Sequence, residues 1–179
     1  MGTGIGGGIV FDGRVYNGRL GGAGEVGHMK LVANDGRPCT CGLTGCLESY
    51  AASRVMVERS AFDDIPSLAV AYRQDGTLTA VNEAAGWLGR GLGMITAVLA
   101  PEIILIGGSG TLLGDAYLRQ VQASFVANAM PAYRAIPLAF TQLGENSGLI
   151  GAGILAARGE RTFEKLNGNA DDADKTDFY

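Results

Sequence analysis

Apolar residues in this chain change period several times, and each change marks an element. Ile9, Val10 and Phe11 form one short apolar run, Val15 and Tyr16 a second, and Asp12-Gly13 between them predicts a β-hairpin. Residues 34–46 have no apolar period and many turn formers, so they read as a loop. From Leu47 the spacing becomes helical, with Leu47, Ala51 and Val55 four apart and Glu48 in the first turn. Asp63, Asp64 and Pro66 interrupt that helix, and a second short one around residues 68–72 ends at Asp75-Gly76.

The segment Thr79–Leu99 reads as the longest helix, stopped by Pro101. Its Gly89, Gly93 and Ala97 recur every four residues, a small-residue stripe that predicts close approach of another helix. Residues 103–106 are continuously apolar, which predicts a strand buried on both faces. That strand runs into Gly107-Gly108-Ser109-Gly110, the place beyond a carboxyl end where open α/β sheets bind ligands. Leu118, Val121 and Phe125 then give a helix its stripe, and residues 136–141 read as an edge strand. Gly144 makes a turn, Ser147 is the expected N-cap, and residues 149–157 form a final helix. This order of elements predicts an α/β layered domain over residues 1–158. Residues 159–179 are polar and acidic, and are expected to be a disordered tail.

Composition narrows the function classes. Fourteen basic against eighteen acidic residues give a net charge of −4, no footprint for nucleic acid. No run of about eighteen apolar residues and no secretion signal is present, so a cytoplasmic chain without a membrane partner is expected. The 29 glycines lie among aliphatic residues at both ends of the chain and suggest turns and close backbone approaches. Gly2, Gly4 and Gly7 match G-x-G-x-x-G, but no strand precedes them and no helix follows, so the dinucleotide reading is rejected. A glycine-rich turn beside strands can still wrap phosphates with its N–H groups.

The only histidine, His28, and all three cysteines, Cys39, Cys41 and Cys46, lie within nineteen residues. One imidazole and three thiolates form the ligand set of a closed structural zinc site. An odd number of cysteines, two of them in C-x-C spacing, makes a poor disulfide framework. Two carboxylates, Glu25 and Glu48, bracket this loop and could accept hydrogen bonds from the hydroxyls of a sugar or polyol.

Several motifs together resemble the ROK family of bacterial sugar kinases and sugar-responsive transcriptional repressors. Residues 2–9, GTGIGGGI, resemble its second phosphate loop. Glu25-Val26-Gly27-His28 resembles its E-x-G-H motif, and residues 39–48 resemble its C-x-C-G-x-x-G-C-x-E zinc motif. The resemblance extends to about Arg158 and implies a ribonuclease H-like, actin-like C-terminal lobe with an inserted zinc loop. It implies sugar contacts from Glu25, His28 and Glu48, and zinc ligation by His28, Cys39, Cys41 and Cys46. His28 would serve both, one ring nitrogen on the metal and the other facing the sugar. Thr3 and Gly4 would lie near the phosphates of ATP, and Gly107 and Gly108 near its adenosine.

The family's D-x-G-x-T phosphate loop and catalytic aspartate have no counterpart in this sequence. Asp75-Gly76-Thr77 is only an echo between two helices. The given chain alone is therefore not expected to phosphorylate sugar, since in-line transfer needs a residue positioning the nucleophile. The repressors' winged helix-turn-helix is missing too, and a truncated gene, a misassigned start or an expressed fragment is inferred. Apolar surface and open strand edges left without the other lobe predict a homo-oligomer.

Overall fold

The computed structural model describes residues 1–19 and 21–158; the expected acidic tail lies outside the described residues. The hairpin forms as its sequence predicts, with strand β1 (Ile9–Phe11) antiparallel to β2 (Arg14–Tyr16) and Val10 paired with Val15. Asp12 and Gly13 both take positive φ, 49° and 73°, the backbone that a two-residue hairpin turn requires.

The helix expected from Leu47 is broken. Helix α1 (Glu48–Ala51) stops where Ala52 becomes extended, and α2 (Ser53–Glu58) restarts at once. The Ser53 N–H is thereby freed to donate to the Gly2 carbonyl at 2.9 Å, a long-range bond that a four-residue apolar period does not register. Helix α3 (Ile65–Asp75) is capped by Asp64, whose Oδ1 accepts from the Ser67 N–H at 2.8 Å, and ends on Gly76 in the left-handed region. Asp64 and Pro66 thus start α3, while α2 has already ended at Glu58.

Helix α4 (Thr79–Leu99) is the backbone of the core. It packs along α5 (Gly114–Asn128), and the buried cluster of Leu68, Tyr72, Val81, Leu88, Val121 and Phe125 lies among α3, α4 and α5. The small-residue stripe explains how closely α4 and α5 approach. A Cβ at Gly89 would come within 2.5 Å of the Val121 carbonyl oxygen and 2.6 Å of the Phe125 nitrogen, and one at Gly93 within 2.9 Å of the Asn128 carbonyl carbon. Ala97, expected in the same stripe, is exposed instead, and the fully buried Thr96 faces inward.

Gly86, one turn earlier on α4, has open space at its Cβ position. Gly86→Ala is therefore expected to stabilise by about 1 kcal/mol through helix propensity alone. Gly89→Ala has the same propensity gain but forces two helices apart, with a net cost of about 1–3 kcal/mol. The two substitutions should move Tm in opposite directions in a calorimeter. Equal shifts would show that α4 and α5 are not in backbone contact.

Strand β3 (Ile104–Ile106) runs parallel to β4 (Leu138–Phe140), with α5 as the crossover between them. Here the expectation of a strand buried on both faces is wrong. Ile106 is buried, but Leu105 is 59 % and Ile103 47 % exposed, because no layer among the described residues covers that face of the two-stranded sheet. The final helix α6 (Ser147–Ala157) is apolar yet buries none of its residues. It begins at Ser147, which is its first residue rather than its N-cap, and no side chain caps it. Among the described residues no helix is long and apolar enough to cross a membrane.

Candidate functional site

Two segments converge on one point. His28 ends a single 3-10 turn, Val26–His28, that follows Glu25. Gly27 permits its position, since a Cβ there would overlap the Ile5 carbonyl, so this turn lies backbone-to-backbone on the glycine-rich loop at residues 2–8. The cysteine loop returns beside it. Lys30 and Cys46 pair as an antiparallel bridge, and the Leu47 N–H donates to the Met29 carbonyl at 2.9 Å. A second bridge, Pro38 with Thr44, closes the loop, and inside it the Cys39 N–H donates to the Leu43 carbonyl at 2.8 Å. Leu47, fully buried, then anchors the loop in the core against Gly91 of α4.

This arrangement unites all four candidate metal ligands. The donor atoms of His28, Cys39, Cys41 and Cys46 lie within 4.8 Å of one another. Nδ1 of His28 is 3.5 Å from the Cys39 sulfur, and the sulfurs of Cys41 and Cys46 are 3.8 Å apart, far beyond the ~2.05 Å of a disulfide. The set could hold a metal ion.

Electrostatics divide the thiols. Burial pushes the Cys39 thiol up, but hydrogen bonds from the Cys41 N–H, Ser49, Cys41 and His28 outweigh it and bring the pKa to about 6. Burial, then hydrogen bonding to and the charge of its two neighbouring thiols, push Cys46 up to about 12. A second thiolate beside Cys39 is thus unfavourable until positive charge enters the cluster.

The three expected sugar contacts lie around this cluster, in different states. Nε2 of His28, on the ring edge away from Cys39, is 3.8 Å from Oε2 of Glu25, whose side chain is 66 % exposed. Glu48 is buried, and both its oxygens are already engaged. Oε2 accepts from the Ile5 N–H and Oε1 from the Thr40 hydroxyl, each at 2.8 Å. Burial raises its pKa, but these two bonds, helped by His28 and Arg54, carry it below the ordinary carboxylate value. Each oxygen retains a lone pair, so the carboxylate can still accept from a ligand.

The segments carrying the expected nucleotide residues are linked through Met1. The Met1 ammonium donates to the Gly107 carbonyl at 2.7 Å, the Gly110 N–H donates to the Met1 carbonyl, and Ser109 donates to Ser53 at 3.2 Å. The first two bonds join the Gly107-Gly108 turn to Met1, two residues ahead of Thr3, and the third joins it to α2. Thr3, Gly6, Gly7 and Gly8 are exposed, while Gly4 lies so close to Glu48 that a Cβ would overlap Oε2.

Residues that the sequence pattern did not single out complete the site. Thr40 binds Glu48, and its position between two cysteines was the one available signal. Tyr50 accepts from the Arg37 N–H at 2.8 Å, the Arg37 guanidinium covers its ring, and Trp87 of α4 packs on it at 4.4 Å. Such contacts between segments far apart in sequence leave no periodic trace.

The ROK family model matches residues 1–159. The glucokinase of Halalkalibacterium halodurans is 34 % identical over 93 % of this chain and 57 % of its own length, so the chain spans little more than half of that relative. Among solved structures, a ROK family glucokinase from Streptomyces griseus in complex with glucose and AMPPNP superposes with a TM-score of 0.77. It is 29 % identical, over 88 % of this chain and 59 % of that one. A ROK family transcriptional regulator, a homolog of the E. coli MLC protein, superposes with a TM-score of 0.63 at 29 % identity, over 78 % of this chain and 40 % of its own.

Proposed function

This chain belongs to the ROK family, and we propose that it is the zinc-holding, sugar-recognising C-terminal lobe of a ROK sugar kinase, of the actin-like kind. The strongest support is the orientation of His28. Its Nδ1 faces the cysteine cluster and its Nε2 faces Glu25, so one imidazole joins a metal cluster to a carboxylate in reach of ligand. A metal-bound imidazole ordinarily donates its second N–H to an oxygen.

The cluster fits zinc. With Zn–S bonds of about 2.3 Å and Zn–N bonds of about 2.0–2.1 Å, a tetrahedron has S···S edges of ~3.8 Å and N···S edges of ~3.5 Å. Two of the six separations, Cys41–Cys46 at 3.8 Å and His28–Cys39 at 3.5 Å, match those edges, and all six lie within 4.8 Å. A bound zinc supplies the positive charge that lets all three thiols ionise. His28, Cys39, Cys41 and Cys46 would hold it, and the loop they close would present Glu48 and the second edge of His28 to the sugar.

In the whole protein the substrate is a hexose or N-acetylated hexosamine, with Glu25, His28 and Glu48 accepting from or donating to its hydroxyls. Carboxylates orient a polyol well because each oxygen accepts without competing as a donor. ATP, when bound in the whole protein, supplies the phosphoryl group. Thr3 and Gly4, with the exposed N–H groups of the following glycines, would face its phosphates, and Gly107-Gly108 its adenosine. A residue positioning the acceptor hydroxyl would come from the other lobe.

A second reading is the effector-sensing part of a ROK transcriptional regulator, favoured by the superposition on the regulator structure. Sugar binding at the same three residues would then shift a conformational equilibrium. Under either reading the chain works in the cytoplasm, and its exposed apolar residues on β3 and α6, Leu105 and Leu149 among them, favour self-association.

Elemental analysis of purified chain is expected to find about one zinc per molecule; a folded, metal-free chain would contradict the reading. The gene in frame upstream of Met1 separates the two branches. A D-x-G-x-T loop with a catalytic aspartate marks the kinase, and a winged helix-turn-helix marks the regulator.

A further inference from the structure

Both segments that contribute candidate metal ligands are tied to the same backbone residue, one directly and one through Glu48. Ile5, in the middle of the glycine-rich loop and 6 % exposed, gives its N–H to Glu48 Oε2 at 2.8 Å. Its carbonyl lies against Gly27, next to His28, where a Cβ would overlap it. On the cysteine side the contact is indirect. Thr40, flanked by Cys39 and Cys41, donates its hydroxyl to Glu48 Oε1 at 2.8 Å, so one carboxylate spans the metal loop and the glycine loop.

We infer that Thr40 is a positioning residue that holds the Glu48 carboxylate and, through it, the Ile5 N–H, so that metal loading sets the order of the glycine-rich loop. The inference rests on the metal reading proposed above but not on the identity of the sugar. A metal fixes Cys39 and Cys41 on either side of Thr40 and so fixes the origin of its hydroxyl. That hydroxyl holds Oε1 and leaves Oε2 aligned on Ile5. Without it, nothing but the Ile5 N–H holds the carboxylate's orientation beside Gly4, and that N–H loses a fixed acceptor. Thr40 is otherwise exposed, and Ser49 pins the loop separately by donating to the Pro38 carbonyl at 2.9 Å. Replacing the Thr40 hydroxyl therefore leaves the ligands and the core in place.

The test is amide hydrogen exchange, resolved at Ile5 by NMR, in the zinc-loaded chain and in Thr40→Val and Thr40→Ser. The Leu47 amide, bonded to Met29, is the internal reference. Thr40→Val should keep its zinc and its Leu47 protection while Ile5 exchanges about tenfold faster or more, as loss of a hydrogen bond to a charged group implies. Thr40→Ser should behave as wild type, and chelating the metal from wild type should release Ile5. Ile5 protection unchanged in Thr40→Val overturns the inference. So does loss of zinc from Thr40→Val, because the hydroxyl would then serve the metal and not Glu48. Equal exchange in Thr40→Ser and Thr40→Val would mean that packing, not the hydroxyl, carries the effect. A wild-type chain that takes up no zinc would sink the metal reading itself, a different failure.

Discussion

Replacing Cys46 by serine is expected to remove the metal and lower the stability of the chain by about 3 kcal/mol or more, since in small zinc domains metal binding contributes on the order of 10 kcal/mol of folding energy. Cys46 is the fully buried ligand, and its backbone bridge to Lys30 joins the two ligand-bearing segments. Serine is nearly isosteric, so the loss reports the missing thiolate rather than a cavity. For a domain of this size that loss corresponds to a Tm fall of about 6–12 °C. Calorimetry with and without a chelator separates the causes: wild type should fall toward the variant when the metal is stripped, and the variant should not respond. A Cys46→Ser chain that keeps about one zinc and its Tm would show that the cluster is not a metal site.

Glu48→Gln should weaken sugar binding by about tenfold or more while leaving the fold intact. Glutamine matches the shape of glutamate, and its carbonyl can still accept from the Ile5 N–H that Glu48 now satisfies. What it lacks is the charge. Hydrogen bonds to charged groups are stronger by about 1–1.5 kcal/mol than neutral ones, and the amide's NH2 meets the Thr40 hydroxyl where an acceptor stood. Glu48→Ala is the cruder variant, because it leaves the Ile5 N–H buried without a partner, at about 1–3 kcal/mol of stability. Titrating sugar into Glu48→Gln with wild-type affinity would remove Glu48 from the proposed contacts.

Local signals explain why some elements were readable in advance. The Asp12-Gly13 hairpin and the span of α4 follow from turn chemistry and a helical period sustained over 21 residues, both local signals. The break at Ala52 and the exposure of Leu105 depend on what lies elsewhere: a carbonyl at Gly2 in one case, the lack of a covering layer among the described residues in the other. At the site, residue type and spacing pointed to His28 and the three cysteines, which the structure brings within 4.8 Å. The engagement of Glu48 by Ile5 and Thr40 was not readable, because one partner is a backbone N–H 43 residues away. The carboxylate expected to meet a ligand is also part of the scaffold.

In the proposed function a metal-held loop presents Glu25, His28 and Glu48 to a sugar. Calorimetric titration of glucose and N-acetylated hexosamines into the zinc-loaded chain tests it most directly. Saturable binding of at least one of these sugars is expected, lost when the zinc is removed by a chelator. A folded, zinc-loaded chain that binds none of them, or one that binds equally well without its metal, would contradict it.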